Sequence, residues 1–116
     1  MEKKYALFAF NGELMCFVHV LLNAKDMFSK GYQVKVVIEG SATKLIKELD
    51  QPEKPFAKLY QEVNAAGLID GICKACANKM GSLDEAQKQG LKLLDDMSGH
   101  PSVSGYLAQG YEILTF

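Results

Sequence analysis

Cys76 is the residue best placed to do chemistry in this chain, within the run Ile72-Cys73-Lys74-Ala75-Cys76-Ala77-Asn78-Lys79-Met80-Gly81. An apolar stretch runs out at Cys73 and a short helix is expected to begin there. Cys76 would then meet unpaired backbone N–H groups, with Lys79 one turn further on, and both favour thiolate over thiol. Asn78 and Lys79 are polar, so solvent or substrate is expected to reach the sulfur. The competing reading is a small buried residue at the base of a loop, the common fate of free cysteine. The functional reading is preferred, with sulfur or redox chemistry as its content.

The other reactive side chains are read around that thiol. Cys73 lies inside the expected strand and reads as core, yet with Cys76 it spells Cys-x-x-Cys, the spacing of a redox dithiol or of half a zinc site. A thioredoxin-type dithiol would expose its first cysteine at the helix start, whereas here the first cysteine precedes the loop. A structural zinc site would need a second pair, and only Cys16 and His100 remain, neither at motif spacing. No metal and no cofactor are therefore expected. Cys16, in Asn11-Gly12-Glu13-Leu14-Met15-Cys16-Phe17, reads as packing, or as a second thiol if it faces the same crevice as Cys76. His100 precedes Pro101, which biases it to extended backbone; acid/base work, metal ligation, capping and simple exposure are all open to it. His19, among apolar neighbours, reads as a satisfied core histidine. One of Asp95 and Asp96 is expected to bond the Ser98-Gly99 loop. Gly40-Ser41-Ala42-Thr43-Lys44 lacks the glycine spacing of a phosphate loop, so Ser41 reads as a helix cap.

The elements that must position these residues are marked by a pattern that recurs four times, a helical residue, then Gly, then a large apolar residue. The instances are Lys30-Gly31-Tyr32, Ala66-Gly67-Leu68, Gln89-Gly90-Leu91 and Gln109-Gly110-Tyr111. Each reads as a helix ending on a left-handed glycine before a strand opens. With the opening stretch Lys4–Phe10, the stretches Tyr32–Ile38, Leu68–Cys73, Leu91–Leu94 and Tyr111–Phe116 make five strands. Between them, Leu14, Phe17, Val18, Leu21, Leu22 and Phe28 form an apolar stripe from Glu13 to Lys30. Shorter helical stripes carry Leu45, Ile46 and Leu49, then Phe56, Leu59, Tyr60 and Val63. Ser82-Leu83-Asp84-Glu85 reads as a capping box, and Pro101 as the opener of a last helix.

Strand–helix alternation without hairpin signals implies an α/β fold, a three-layer α/β/α sandwich on a five-stranded, mostly parallel sheet. In such a sheet ligands sit beyond the carboxyl ends of the strands, where neighbouring crossovers diverge. That rim carries Asn11, Gly12, Glu13 and Cys16; Glu39, Gly40, Ser41 and Thr43; Cys76, Asn78 and Lys79; and Asp95, Asp96, Ser98, Gly99 and His100.

With 116 residues, 48% hydrophobic and 23% charged, the chain reads as one globular domain, 1–116. A net charge of −1 and the lack of a basic block argue against nucleic acid. Met1-Glu2-Lys3-Lys4 leads into only six apolar residues, too few for a signal core or a membrane span, so a cytoplasmic location is expected. Three cysteines do not make a disulfide framework.

The run Ala75-Cys76-Ala77-Asn78-Lys79-Met80 is similar to the cysteine–x–Asn–x–Met loop that follows the third strand in the DsrE/DsrF-like sulfur-relay family. Asp96-Met97-Ser98-Gly99-His100-Pro101, with Phe10-Asn11-Gly12, resembles a subgroup of small cytoplasmic proteins within it. The resemblance implies a five-stranded α/β/α sandwich, homo-oligomers such as trimers or hexamers, and a cysteine that carries sulfane sulfur as a persulfide. Only Cys76 matches that position. The leading expectation is thus a sulfur carrier or sulfurtransferase-like protein exchanging sulfur with donor and acceptor proteins. In it Cys76 is the nucleophile, Lys79 stabilises the anion, Asn78 orients the loop and His100 moves a proton. A second expectation is a small-molecule or metal-binding module using Asn11, Ser41, Asp96, Ser98 and His100, and a third is an oligomeric subunit without chemistry. Phe56, Tyr60, Tyr106 and Tyr111 are taken as apolar surface that association would cover.

Overall fold

The computed structural model describes residues 3–116, so the reading of Met1 and Glu2 lies outside the described residues. Five strands form one sheet: β1 (Lys4–Ala9), β2 (Gln33–Ile38), β3 (Ile69–Cys73), β4 (Leu93–Leu94) and β5 (Glu112–Thr115). Their order is β4-β3-β2-β1-β5 and every pairing is parallel. Six α-helices connect them: α1 (Leu14–Ser29), α2 (Leu45–Leu49), α3 (Ala57–Ala65), α4 (Lys74–Lys79), α5 (Leu83–Lys88) and α6 (Val103–Ala108). A 3-10 helix, Gly40–Lys44, precedes α2. The four glycines of the recurring stop signal all have positive φ, between 72° and 90°. In each case the next residue's N–H reaches back to the helix's last turn, as in Tyr32 N–H to Met27 O at 3.0 Å and Leu91 N–H to Ala86 O at 3.0 Å. These closures end the four helices that lead directly into a strand, α1, α3, α5 and α6.

Strand order and crossover hand together decide which face each helix covers. The steps β1 to β2, β2 to β3 and β3 to β4 all move the same way across the sheet, so right-handed crossovers put α1 to α5 on one face. The return from β4 to β5 runs the opposite way and puts α6 on the other face. The two cores match this assignment. Phe17, Val20, Leu21, Tyr60, Val63, Ala77 and Ala86 pack on Leu7, Val34, Val36, Ile38 and Ile72 on the first face. On the second face Tyr106 and Tyr111 pack with Ala6, Phe8, Val37 and Leu94. The expected three layers are present and unequal. A five-stranded sheet is about 20 Å wide, whereas one helix spans about 10 Å. The six-residue α6 therefore leaves much of its face to side chains such as Lys35 and Asp70, which form an ion pair at 3.7 Å.

Several local expectations change in three dimensions. Leu22 and Phe28 are exposed, because the buried face of α1 turns through Val18, Val20 and Ala24. His19 is exposed and is not a core histidine. Ser41 does not cap a helix; its Oγ accepts the Gly12 N–H at 2.8 Å and donates to Phe10 O at 3.3 Å, tying the β1–α1 loop to the 3-10 helix. Ser82 precedes α5 without a side-chain cap, and Glu85 accepts instead from Gln89. Pro101 stands two residues before α6, whose cap is Ser102 Oγ on Gly105 N–H. Tyr60, Tyr106 and Tyr111 are buried in the cores, which leaves only Phe56 exposed among the aromatics taken as surface.

Candidate functional site

The crossovers diverge between β3 and β4, since α4 leaves β3 toward one face and the chain after β4 leaves toward α6 on the other. That divergence opens a crevice beyond the carboxyl ends of the strands. Cys73, the last residue of β3, is also the N-cap of α4, and its Sγ accepts the Cys76 N–H at 3.4 Å. The apolar run of β3 thus delivers both cysteines of Cys-x-x-Cys to one corner. His100 arrives from the segment after β4 through a tight turn. Met97 and His100 exchange backbone hydrogen bonds at 2.8 and 2.9 Å, and Ser98 and Gly99 between them have φ of 51° and 92°. Two consecutive positive φ values define a type I′ turn, which requires small or Gly residues at its centre. The turn is docked by Ala75 N–H donating to Gly99 O at 2.9 Å.

The imidazole lands on the thiols. His100 Nδ1 lies 3.1 Å from Cys73 Sγ and 3.8 Å from Cys76 Sγ. Glu39 completes the corner. The β2–β3 register pairs Ile38 with Ile72, so the next residues, Glu39 and Cys73, are neighbours. Glu39 is only 7% exposed, and no Lys or Arg pairs with it among the described residues. Thr43 Oγ1 donates to Gly40 O at 2.9 Å and lies 3.4 Å from Cys76 O, closing the floor.

Burial governs the proton affinities here. It pushes the Cys73 thiol up to about 12, so this sulfur holds its proton at neutral pH. Burial also raises the Glu39 carboxyl above the ordinary range, an effect partly offset by His100 and by a hydrogen bond from Cys73. Cys73 is fully buried, while Cys76 is half-buried and is the accessible thiol of the pair.

The remaining expected site residues fall elsewhere. Asn78 is exposed and lines a cleft of about 370 Å³ with Lys74, Ala75, Leu83, Asp95 and Gly99, on a face of α4 that Cys76 does not share. Lys79 is exposed at the end of α4, three residues beyond Cys76. Cys16 stands in the first turn of α1, apart from the cluster; its thiol is raised first by a hydrogen bond with Glu13, then by burial. Asn11 Oδ1 accepts Glu13 N–H at 2.8 Å, a turn contact that orders the start of α1. Asp96 accepts Ser102 N–H at 3.2 Å and Asp95 pairs with Lys74 at 3.7 Å, so neither side chain bonds the exposed Ser98. The structure thus brings together Cys73, Cys76 and His100, and adds Glu39, which sequence reasoning placed at the rim without singling out. Its signal was strand alternation: Val34, Val36 and Ile38 face one side, which puts Glu39 on the face where His100 arrives.

The DsrE/DsrF-like family model matches residues 9–116, nearly the whole chain. An uncharacterised protein of Methanocaldococcus jannaschii is 35% identical over 97 residues, covering 84% of this chain and 77% of that protein. Two uncharacterised proteins of Archaeoglobus fulgidus match shorter stretches. One is 44% identical over 43 residues, 37% of this chain and 70% of that protein. The other is 49% identical over 37 residues, 32% of this chain and the whole of that protein. No solved structure matches the chain significantly.

Proposed function

The chain belongs to the DsrE/DsrF-like family, and on that premise we propose that it is a sulfur carrier in which Cys76 holds sulfane sulfur as a persulfide. The observation that carries this reading is a half-buried thiol, Cys76, within 3.8 Å of the Nδ1 of His100 at the open end of the sheet. Family membership supports sulfur relay as the general activity.

The proposed cycle needs no oxidant. His100 Nδ1 takes the Cys76 proton, and the thiolate attacks the outer sulfur of a donor persulfide. The Cys76–sulfur bond forms as the donor's S–S bond breaks, and the donor leaves as a thiol carrying one proton. An acceptor thiol then gives its proton to His100 and, as the thiolate, attacks the same outer sulfur; Cys76 leaves as thiolate and takes that proton from His100. Cys73 keeps its proton throughout, because burial holds that thiol up at about 12. It borders the reacting sulfur without competing as a nucleophile at neutral pH. Lys79, on the same helix face as Cys76, adds positive charge for the departing thiolate.

Mass spectrometry after incubation with a persulfide donor tests the proposal. A gain of about 32 Da, one sulfur atom, is expected on the Cys76 peptide and is lost in Cys76→Ser. An intact protein that never acquires the adduct on Cys76 would sink the reading. Relay also calls for donor and acceptor proteins. We further propose self-association of the chain, with exposed Val103 and Leu107 of α6 and exposed Phe10 as the apolar surface available to it.

A further inference from the structure

Glu39, Cys73, Cys76 and His100 come from three separate segments, and one ligand atom from each lies within 4.8 Å of the other three. We propose that these four side chains form a tetrahedral site for a thiophilic divalent cation of the zinc class. Cys73 and Cys76 would bind as thiolates, His100 through Nδ1 and Glu39 through one carboxylate oxygen.

The distances suit that geometry. With zinc–sulfur bonds near 2.3 Å and zinc–nitrogen or –oxygen bonds near 2.0–2.1 Å, the edges of such a tetrahedron are about 3.4–3.8 Å. The sulfur-to-Nδ1 separations here are 3.1 and 3.8 Å and every donor pair lies within 4.8 Å, so closure on an ion needs shifts of at most roughly 1 Å. The donors are also held from outside. The Cys76 N–H donates to Cys73 Sγ at 3.4 Å, and the turn carrying His100 is fastened by the bond from Ala75 N–H to Gly99 O at 2.9 Å. Such outer contacts orient metal ligands before the ion arrives.

Charge provides an independent argument. A carboxylate that is only 7% exposed, without a Lys or Arg partner among the described residues, faces a fully buried thiol and an imidazole. Buried ionised groups are normally paired or coordinate a metal. Binding both cysteines as thiolates should release protons. Two sulfurs, one nitrogen and one oxygen are a soft donor set. Mg²⁺ and Ca²⁺, which need six or more oxygens, do not suit it. All four positions are protein atoms, as in a closed site. An ion there would also occupy Cys76, so metal loading and sulfur loading of that residue are mutually exclusive. The metal proposal does not rest on the sulfur-carrier reading.

Co²⁺ serves as the spectroscopic probe, titrated into chelator-treated, reduced protein. The expected result is saturation at one equivalent, with near-ultraviolet thiolate-to-cobalt charge-transfer absorption, tetrahedral visible bands, and loss of both on adding Zn²⁺. Cys73→Ser should remove about half of the charge-transfer intensity, and Glu39→Gln should weaken Co²⁺ binding by at least about 100-fold, more than loss of an outer contact. Zn²⁺ in hundredfold excess over its Kd should raise the Tm of the unmodified protein by roughly 10 °C. Absence of charge-transfer bands in the unmodified protein at excess Co²⁺ would overturn the site. So would bands that persist in the Cys73→Ser, Cys76→Ser double variant. Unchanged affinity in Glu39→Gln would overturn the four-ligand set. Sulfur loading of the metal-free protein is read separately by mass, so failure of one proposal leaves the other measurable.

Discussion

At the scale of single residues, the chemistry turns on how two thiols three positions apart are made unlike. Cys73 caps α4 from the last position of a buried strand, and burial keeps its proton on. Cys76, one turn later, faces the crevice within reach of the same imidazole. His100 is then the group expected to generate the nucleophile. Replacing it with Ala should slow alkylation of Cys76 by iodoacetamide at neutral pH roughly 10–100-fold, as loss of a positioned base does. Peptide-resolved mass spectrometry would separate Cys76 from Cys16 and Cys73. An unchanged Cys76 rate would remove His100 from the proton transfer.

At the scale of elements, each helix is placed by its ends. The fourfold glycine stop was legible because only a left-handed residue lets the chain fold back onto the preceding helix, and the required φ is rare outside glycine. Helix starts were harder to read, because a cap depends on which backbone N–H a side chain meets. Ser41 and Ser82 have the composition of caps and do not act as caps. Glu13 does cap α1, its carboxylate accepting the Cys16 N–H at 3.0 Å. Hydrogen bonds from the backbone of Met15 and Cys16 lower its pKa. A carboxylate whose pKa is lower in the folded state contributes stability above the ordinary carboxylate range, and that contribution disappears as pH falls through the folded value. Glu13→Gln should therefore lower Tm at neutral pH, and the gap to the unmodified protein should close as the solution is acidified. Thermal melts of both proteins across that range would check it, and a gap independent of pH would refute the cap's charge as the cause.

At the scale of the whole molecule, topology produces an asymmetry between the two faces of the sheet. Three successive crossovers in one direction put five helices on the first face, and the single return leaves α6 alone on the second. Leu107, 55% exposed, and Val103 lie on α6, beside sheet area that the helix does not reach. No helix among the described residues is long and apolar enough to cross a membrane. The proposed self-association would cover this apolar surface, and light scattering should then report a trimer or hexamer. Leu107→Asp should lower that mass toward the monomer. A monomeric mass for the unmodified protein at high concentration would end the self-association proposal.

The alternation of apolar strand with glycine-terminated helix was enough to determine the α/β class and the five strands, and the run Ala75–Met80 carried the family resemblance, because those signals are local in the chain. It also put Cys76 at the rim, since the end of an apolar run marks the end of a buried strand. Cys73 is buried as its place in the strand implied, but its contact with His100 was decided only by the fold, as was the presence of Glu39 beside them. Those contacts depend on strand order, on a one-residue register between β2 and β3, and on a turn at Ser98-Gly99 that carries the imidazole across the crevice. Each joins residues more than twenty positions apart, and spacing along a chain carries no information about which distant segments the sheet will make neighbours.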